Sequence, residues 1–301
     1  MAMNRGYTYR EQAGPEAAGR TVLSHLTAVH RHSTVEDWSA RLARGEIAVD
    51  DAPATGDERL RPGQTIVWQR PPWDEPDVPT AFEVLLEDDS VLAVHKPAGL
   101  PTMPAGGFLE HTLLALVRAR HPRAHPVHRL GRFTSGIVLF ALSDRAASAL
   151  GRAWRDHRVA KHYRTLGRGV AAWSEREIAA RIGPVAHSRL GSVYAASAEG
   201  KPARSLVRVV EHRHGDTLFD VQISTGRPHQ IRIHLAFAGH PLVGDPLYAV
   251  GGVPRAVDPG LPGDGGYLLH AHRLELAHPV TRAPLMVTAP MPRALQSASG
   301  G

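Results

Sequence analysis

The sequence predicts an α+β fold in two parts: a small α/β module, then a larger domain with a mixed, largely antiparallel sheet and flanking helices. Three observations carry that prediction. Early in the chain, Val22, Leu23, Leu26 and Val29 recur with the period of a helix. Past a proline-rich stretch, short runs of β-branched and aromatic residues between turn signals take over. Within that second part, residues 112–120 and 146–158 read as helices. A chain of 301 residues also has the length of two domains at ~100–200 residues each.

Each element has a local reason. Residues 1–19 are polar and are expected to be loose. The module spans 20–70, and its second helix is announced by Ser33 and Glu36 at capping-box spacing, with Val35, Trp38 and Leu42 on one face. Arg44-Gly45 stops that helix. Residues 46–49 and 65–68 read as strands about a turn-rich segment. Residues 71–80 are the clearest linker, because Pro71, Pro72, Pro76 and Pro79 resist both helix and sheet. The large domain covers 81–293. Its strands 82–87 and 91–95 flank the turn Asp88-Asp89-Ser90, and 205–211 with 217–224 form a hairpin about His214-Gly215-Asp216. The Ser/Gly tail 294–301 is expected to be flexible.

Composition narrows the class. Hydrophobic residues at 43% and charged residues at 21% suit a soluble chain with a packed core. A net charge of +6 favours a polyanionic partner, because Lys and Arg release counterions from phosphates. The same charge also serves solubility, so charge alone leaves both readings open. With no cysteine, disulfides and thiolate metal sites are excluded. No apolar signal region opens the chain and no run approaches a membrane span of ~18 residues, so the cytoplasm is the expected location. The nineteen histidines invite a metal, but the His121/His125 pair has Pro122 inside it and Pro126 after it, which argues against a zinc helix. Neither glycine-rich nucleotide fingerprint is present.

Three segments carry the chemistry. Lys96-Pro97-Ala98-Gly99 follows a strand and fixes a loop with a cation at its start. His128-Arg129-Leu130-Gly131-Arg132-Phe133-Thr134-Ser135-Gly136 sets two arginines, small hydroxyls and two glycines before an apolar strand, a loop suited to phosphates and bases. The third is Thr225-Gly226-Arg227-Pro228-His229-Gln230-Ile231-Arg232-Ile233-His234-Leu235, with Gly239-His240-Pro241-Leu242-Val243-Gly244-Asp245-Pro246-Leu247-Tyr248 after it. It clusters Arg, His and Gln on an otherwise apolar element.

In this order, and with Lys161-His162-Tyr163 between the second and third, the segments resemble the motifs of RluA-type RNA pseudouridine synthases: the KPAG loop, HRLDxxTSG, K-x-Y, and TGRxHQIRxHL followed by GHPxxGDxxY. The resemblance runs over about residues 82–292. Residues 20–70 resemble an S-four-type RNA-binding module, with Arg31, His32, Arg41 and Arg44 placed to meet phosphates. The family resemblance implies that a uridine in structured RNA, ribosomal or transfer, is flipped out, cleaved at N1–C1′, rotated and rejoined through C5. It implies no metal and no organic cofactor, and a monomer is the default. Arg129 would fill the gap left by the base and Tyr163 would lie against it. Arg232 would keep the catalytic carboxylate ionised. His128, Thr134 and Ser135 would shape the loop, Lys96 would contribute to substrate binding, and Ile231 and Ile233 would wall the pocket.

One position departs from the pattern. Gly131 stands where the family carries its catalytic aspartate, in a register fixed by His128-Arg129-Leu130 and Thr134-Ser135-Gly136. Losing a general base costs about 10²–10⁴ in rate, and Arg232 would lose its partner. Three readings follow. Another carboxylate fills the vacancy, with Asp245 the nearest by motif and Asp144, Asp156 and Asp264 behind it. Alternatively, an anion pairs with Arg232 in an RNA-binding pseudoenzyme. In the third, Tyr163 or a water performs the chemistry.

Overall fold

Thr21 and Thr34 open the two helices of the first unit, Met1–Glu75. The structure, a computed structural model, describes residues 3–298. Strand β1 (Tyr7–Gln12) precedes helices α1 (Val22–Val29) and α2 (Val35–Ala43), and β2 (Ile47–Val49), β3 (Ala52–Pro53) and β4 (Thr65–Arg70) follow. The strands form an antiparallel sheet in the order β1-β4-β2-β3. The capping box sits one residue later than its sequence spacing suggested. Thr34 Oγ1 accepts from the Asp37 amide at 3.1 Å, and Asp37 Oδ2 accepts from the Thr34 amide at 2.9 Å. Ser33 instead accepts from Arg41 at 2.9 Å. Trp38 and Leu42 turn inward onto Val22, Leu26, Ile47 and Ile66, while Val35 is left exposed.

Two boundaries need correction. Residues 1–19 are not uniformly loose: Tyr7–Gln12 pairs residue for residue with Arg70 to Thr65, while residues 1 and 2 lie outside the described residues. Nor is 71–80 a free linker throughout. The Asn4 side chain accepts from the Trp73 amide at 3.2 Å and donates to Glu75 Oε1 at 2.8 Å, which binds 71–75 to the first unit.

The second unit, Pro76–Gly301, begins with β5 (Glu83–Glu87), β6 (Val91–Lys96), α3 (Leu113–Arg118), β7 (His125–Pro126) and β8 (Thr134–Ala141). Next come α4 (Asp144–Arg155), β9 (Ala160–Arg168), β10 (Glu175–Ile178), and the hairpin β11 (Ile182–His187) and β12 (Gly191–Ala196). The chain continues through β13 (Ser205–Arg213), β14 (Asp216–Ile223) and α5 (Gln230–Phe237). It ends with the short pair β15 (Tyr248–Ala249) and β16 (Val253–Pro254), then β17 (Leu269–Ala277) and β18 (Pro284–Thr288). Ten strands make one sheet along the path β10-β13-β14-β9-β17-β8-β6-β5, with β7 beside β8 and β18 beside β17. Among the described residues only β8 and β17 pair in parallel within it.

Strands β6 and β8 are buried on both faces of the sheet, and strand alternation decides which residue meets which helix. Leu92, Val94, Val138 and Phe140 pack with α3 and α5, whereas Val91, Ala93, Ile137 and Leu139 pack with α4. Gly136 is what lets β8 meet β17. Its φ is +112°, and a Cβ there would stand 2.2 Å from the Ala271 carbonyl oxygen. The expected flexible tail is partly tied down. Residues 293–295 form a 3₁₀ turn with Leu295 buried, and Glu211 accepts from the Ala298 amide at 2.8 Å. Residues 299–301 lie outside the described residues. No helix among the described residues is long and apolar enough to cross a membrane.

Candidate active site

Helix α5 carries the charge of the site, and buried polar groups fix where it starts. Gln230 accepts from Thr225 Oγ1 at 2.7 Å and from the Arg227 amide at 3.1 Å, and donates to the Arg204 carbonyl at 2.8 Å. His229, at the N-cap, is held in the left-handed region at φ 55° and ψ 20°, a conformation non-glycine residues adopt at a cost of about 1–3 kcal/mol. Tyr248 donates its hydroxyl to the Tyr194 carbonyl at 2.7 Å, so His229 Nδ1, 2.8 Å away, donates to the Tyr248 oxygen. Burial pushes the His229 imidazole down to about 3, with the nearby Arg232 cation adding to the effect.

Arg232 has a partner. Its Nε donates to Asp245 Oδ2 at 2.7 Å and its Nη2 to Asp245 Oδ1 at 2.8 Å, a bidentate pair with both side chains no more than 2% exposed. Nη1 reaches the Pro262 carbonyl at 3.3 Å. The guanidinium also lies over the rings of Tyr267 at 4.3 Å and Tyr248 at 5.0 Å. Burial opposes its charge, but the Asp245 hydrogen bonds and Tyr267 hold its pKa above the ordinary arginine value. Asp245 is also tied to its own turn: Oδ1 accepts as well from the Leu247 amide at 2.9 Å and the Tyr248 amide at 3.2 Å. Three of these four donors converge on Oδ1, while Oδ2 accepts only from Arg232 and is shut off by burial. Two glycines set Tyr267 beside this turn, since a Cβ at Gly244 would fall 2.0 Å from the Gly266 carbonyl oxygen.

The loop at 128–136 faces this pair. The Thr134 amide closes a turn onto the Gly131 carbonyl at 3.0 Å. Thr102 Oγ1 donates to the Leu130 carbonyl at 2.9 Å and accepts from the Leu130 amide at 3.2 Å. Lys96 does not present its cation to a substrate. Fully buried, it donates to the carbonyls of Pro97, Leu100 and Arg132 at 2.8, 2.7 and 3.0 Å, clamping one loop to the other. A Cβ built on Gly131 would meet Thr134 Oγ1 at 3.5 Å and the Tyr267 hydroxyl at 3.7 Å, both ordinary contacts. The position is exposed and its φ lies outside the left-handed region, so a larger side chain fits.

The remaining expected residues divide. Tyr163, on β9, is buried with Ile231 and Leu269 in the core that also holds Tyr267, and burial pushes its phenol up to about 12. Thr134 is buried beside position 131. Arg129 is exposed and has no hydrogen-bond or ion-pair partner among the described residues. Three others point away. His128 stacks on Trp154 at 5.0 Å and accepts from the Leu139 amide at 3.1 Å, and Ser135 bonds His270 Nδ1 at 2.9 Å. Strand parity puts Ser135 with Ile137 and Leu139 on the α4 face. Ile233 packs with Ile182, Ala195 and Leu247, because on a helix a residue two positions after Ile231 points about 200° away. The sequence reading missed Tyr267, and only the glycine-rich residues 263–266 before it hinted at a close backbone crossing.

Comparison with known proteins identifies the family. A family model described as RNA pseudouridylate synthase matches residues 90–237. A Synechocystis protein named an uncharacterised RNA pseudouridine synthase is 41% identical over 90% of this chain and 94% of its own length. Oryza sativa RNA pseudouridine synthase 5 is 37% identical over 98% of this chain and 89% of its own. Ribosomal large subunit pseudouridine synthase D of Neisseria meningitidis is 33% identical over 92% and 76%. Among solved structures, human RNA pseudouridylate synthase domain containing 1 superposes with a TM-score of 0.56 at 26% identity, over 73% of this chain and 87% of the other. Fold and motifs thus define an RNA-modifying class of isomerase. The chain belongs to the RNA pseudouridylate synthase family.

Proposed function

We propose that the protein isomerises uridine to pseudouridine in structured RNA, and that it does so without a carboxylate at position 131. One observation carries this reading: three segments far apart in sequence converge on one site, with Gly131, Tyr267, Arg232 and Asp245 in a continuous chain of contacts. Arg129, exposed and without a partner, is free to enter the space a flipped base leaves in the stack. Tyr163 supplies a rigid ring at the base of the pocket. Arg232 gives the pocket a fixed cation, and Asp245 neutralises it while staying buried in a bidentate pair and anchored to its own turn. Asp245 is therefore a holder of Arg232 rather than a base. The names of the relatives lend no support to a protein that only binds RNA. The ribosomal large subunit relatives make ribosomal RNA the first substrate to try, with transfer RNA second.

The first unit fits an RNA-binding role, with a changed set of contacts. Arg41 is sandwiched between Trp38 at 4.4 Å and Trp68 at 4.5 Å, and Arg44 pairs with Glu46 at 2.6 Å, so these two are occupied. Arg31 and His32 remain exposed. Beside them, exposed Tyr9 stacks on Trp68 at 5.1 Å and Tyr7 meets Tyr9 edge-on at 4.8 Å, a surface suited to unpaired bases. Replacing Tyr7 and Tyr9 by alanine should weaken RNA binding by about fivefold or more in a filter-binding assay.

The test of activity is direct. Purified protein incubated with ribosomal or transfer RNA should create pseudouridine, read as carbodiimide-dependent stops in reverse transcription. Bound RNA without new stops would overturn the reading.

A further inference from the structure

Turning uridine into pseudouridine requires one proton to move, whatever the route of bond cleavage. When N1–C1′ breaks, its electron pair stays on the uracil. C5 then bonds to C1′ and is left carrying both that bond and its hydrogen. The product forms only when the C5 proton leaves and N1 gains one. N1 and C5 both flank C6, so a single oxygen at that edge of the ring reaches both. Some group in the pocket must therefore stand at this edge and exchange protons. Gly131 offers none, and Asp245 is buried and held bidentately by Arg232.

Resting on the functional reading above, we propose that the Tyr267 hydroxyl is this group and occupies the place that glycine leaves at position 131. The hydroxyl lies 3.7 Å from where a Cβ on residue 131 would be. Carboxylate oxygens reach about 2.4 Å beyond their Cβ by ordinary bond lengths, so the phenol stands within the space an aspartate there would sweep. The Arg232 guanidinium lies 4.3 Å from the centre of the Tyr267 ring. A cation in that position stabilises negative charge as it develops on the phenol oxygen. The hydroxyl makes no hydrogen bond among the described residues, which leaves both its proton and its lone pairs for substrate. Its backbone is fixed by the crossing of Gly266 over Gly244, and the ring is buried. In the step itself, Tyr267 oxygen accepts the C5 proton while its own proton passes to N1. The tyrosine ends as it began, and no other reactant is needed.

The other phenols are placed differently. The Tyr248 hydroxyl is taken by Tyr194 and His229. Burial alone pushes the Tyr163 phenol up to about 12, with no neighbouring charge offsetting that cost. It is a ring for the base to lie on.

Tyr267→Phe keeps the ring, its packing and the contact with Arg232, and removes one oxygen. With RNA labelled by tritium at uridine C5, tritium release should fall about 10²–10⁴-fold in kcat, with KM and RNA affinity within about twofold. A kcat within threefold of the parent overturns the assignment. Adding Gly131→Asp to Tyr267→Phe places a carboxylate in the same space and should recover at least tenfold of the lost rate. A double variant no faster than Tyr267→Phe overturns the shared position. A parent protein that releases no tritium from any of these RNAs sinks the functional reading itself and this assignment with it, whereas an active parent and an equally active Tyr267→Phe sink only the latter.

Discussion

Asp245 and Gly131 are linked through Arg232 and Tyr267, yet they meet the pocket on opposite terms. Asp245 is buried and paired, with three donors on Oδ1 and one on Oδ2. Gly131 is exposed, neutral and surrounded by ordinary contacts. One position holds charge in place at the expense of reactivity. The other leaves reactivity to whatever group can reach it. The comparison teaches that a carboxylate close to Arg232 is not by that fact a replacement for a missing base, because hydrogen bonds that fix a carboxylate also occupy it.

Several substitutions would break or sharpen this contrast. The largest effect should come from Asp245→Asn, which leaves Arg232 buried without its counter-charge. Denaturant unfolding should show a loss of about 3–5 kcal/mol. A loss below about 1 kcal/mol would mean that Asp245 is not structural. Gly136→Ala should cost about 3 kcal/mol, through a strained backbone and a collision with Ala271. Gly131→Asp, five residues earlier in the same motif, should shift stability by less than about 0.5 kcal/mol. If the two glycines behave alike, position 131 is not the open site described above.

Acid should separate the fixed framework from the open position in another way. Burial holds His128, His229 and His270 neutral, with pKa values lowered to about 3, 3 and 4 from 6.5. As pH falls, the unfolded chain takes up these protons first, so stability is full above about pH 6.5 and declines toward pH 4 and below. Unfolding midpoints at pH 7.5 and pH 5 should show the drop. His229→Gln should flatten part of it, whereas Gly131→Asp should leave its midpoint unchanged.

Much of this framework was legible in the sequence. The four motifs, the helices read at 112–120 and 146–158, whose ends shift to Leu113–Arg118 and Asp144–Arg155, and the β13–β14 hairpin follow from local patterns. The motif spacing also made Asp245 the foremost carboxylate to test. Other features depend on where distant segments land. Only the glycines before Tyr267 hint at it, because its place is set by Gly244 and Gly266 crossing. Ile233 was placed at the pocket wall by the family resemblance alone, together with Ile231. Helical geometry sends it to the β11–β12 side instead. Lys96 looked like a free cation because sequence does not show three carbonyls folding back on it.

The parallel pairing of β8 with β17 has a consequence for how the protein is made. It joins residues 134–136 to 269–271, and Ser135 to His270 across 135 positions. A ribosome adding about 5–20 residues per second would finish the motif loop many seconds before its partner strand, and Tyr267 beside it, emerged. During that interval the loop would be exposed without its neighbours, in a topology whose long-range pairings make folding slow. The pocket would therefore close only near the end of synthesis, and a chain truncated before residue 269 would retain all four motifs and Tyr267 but lack the strand that pairs with the motif loop.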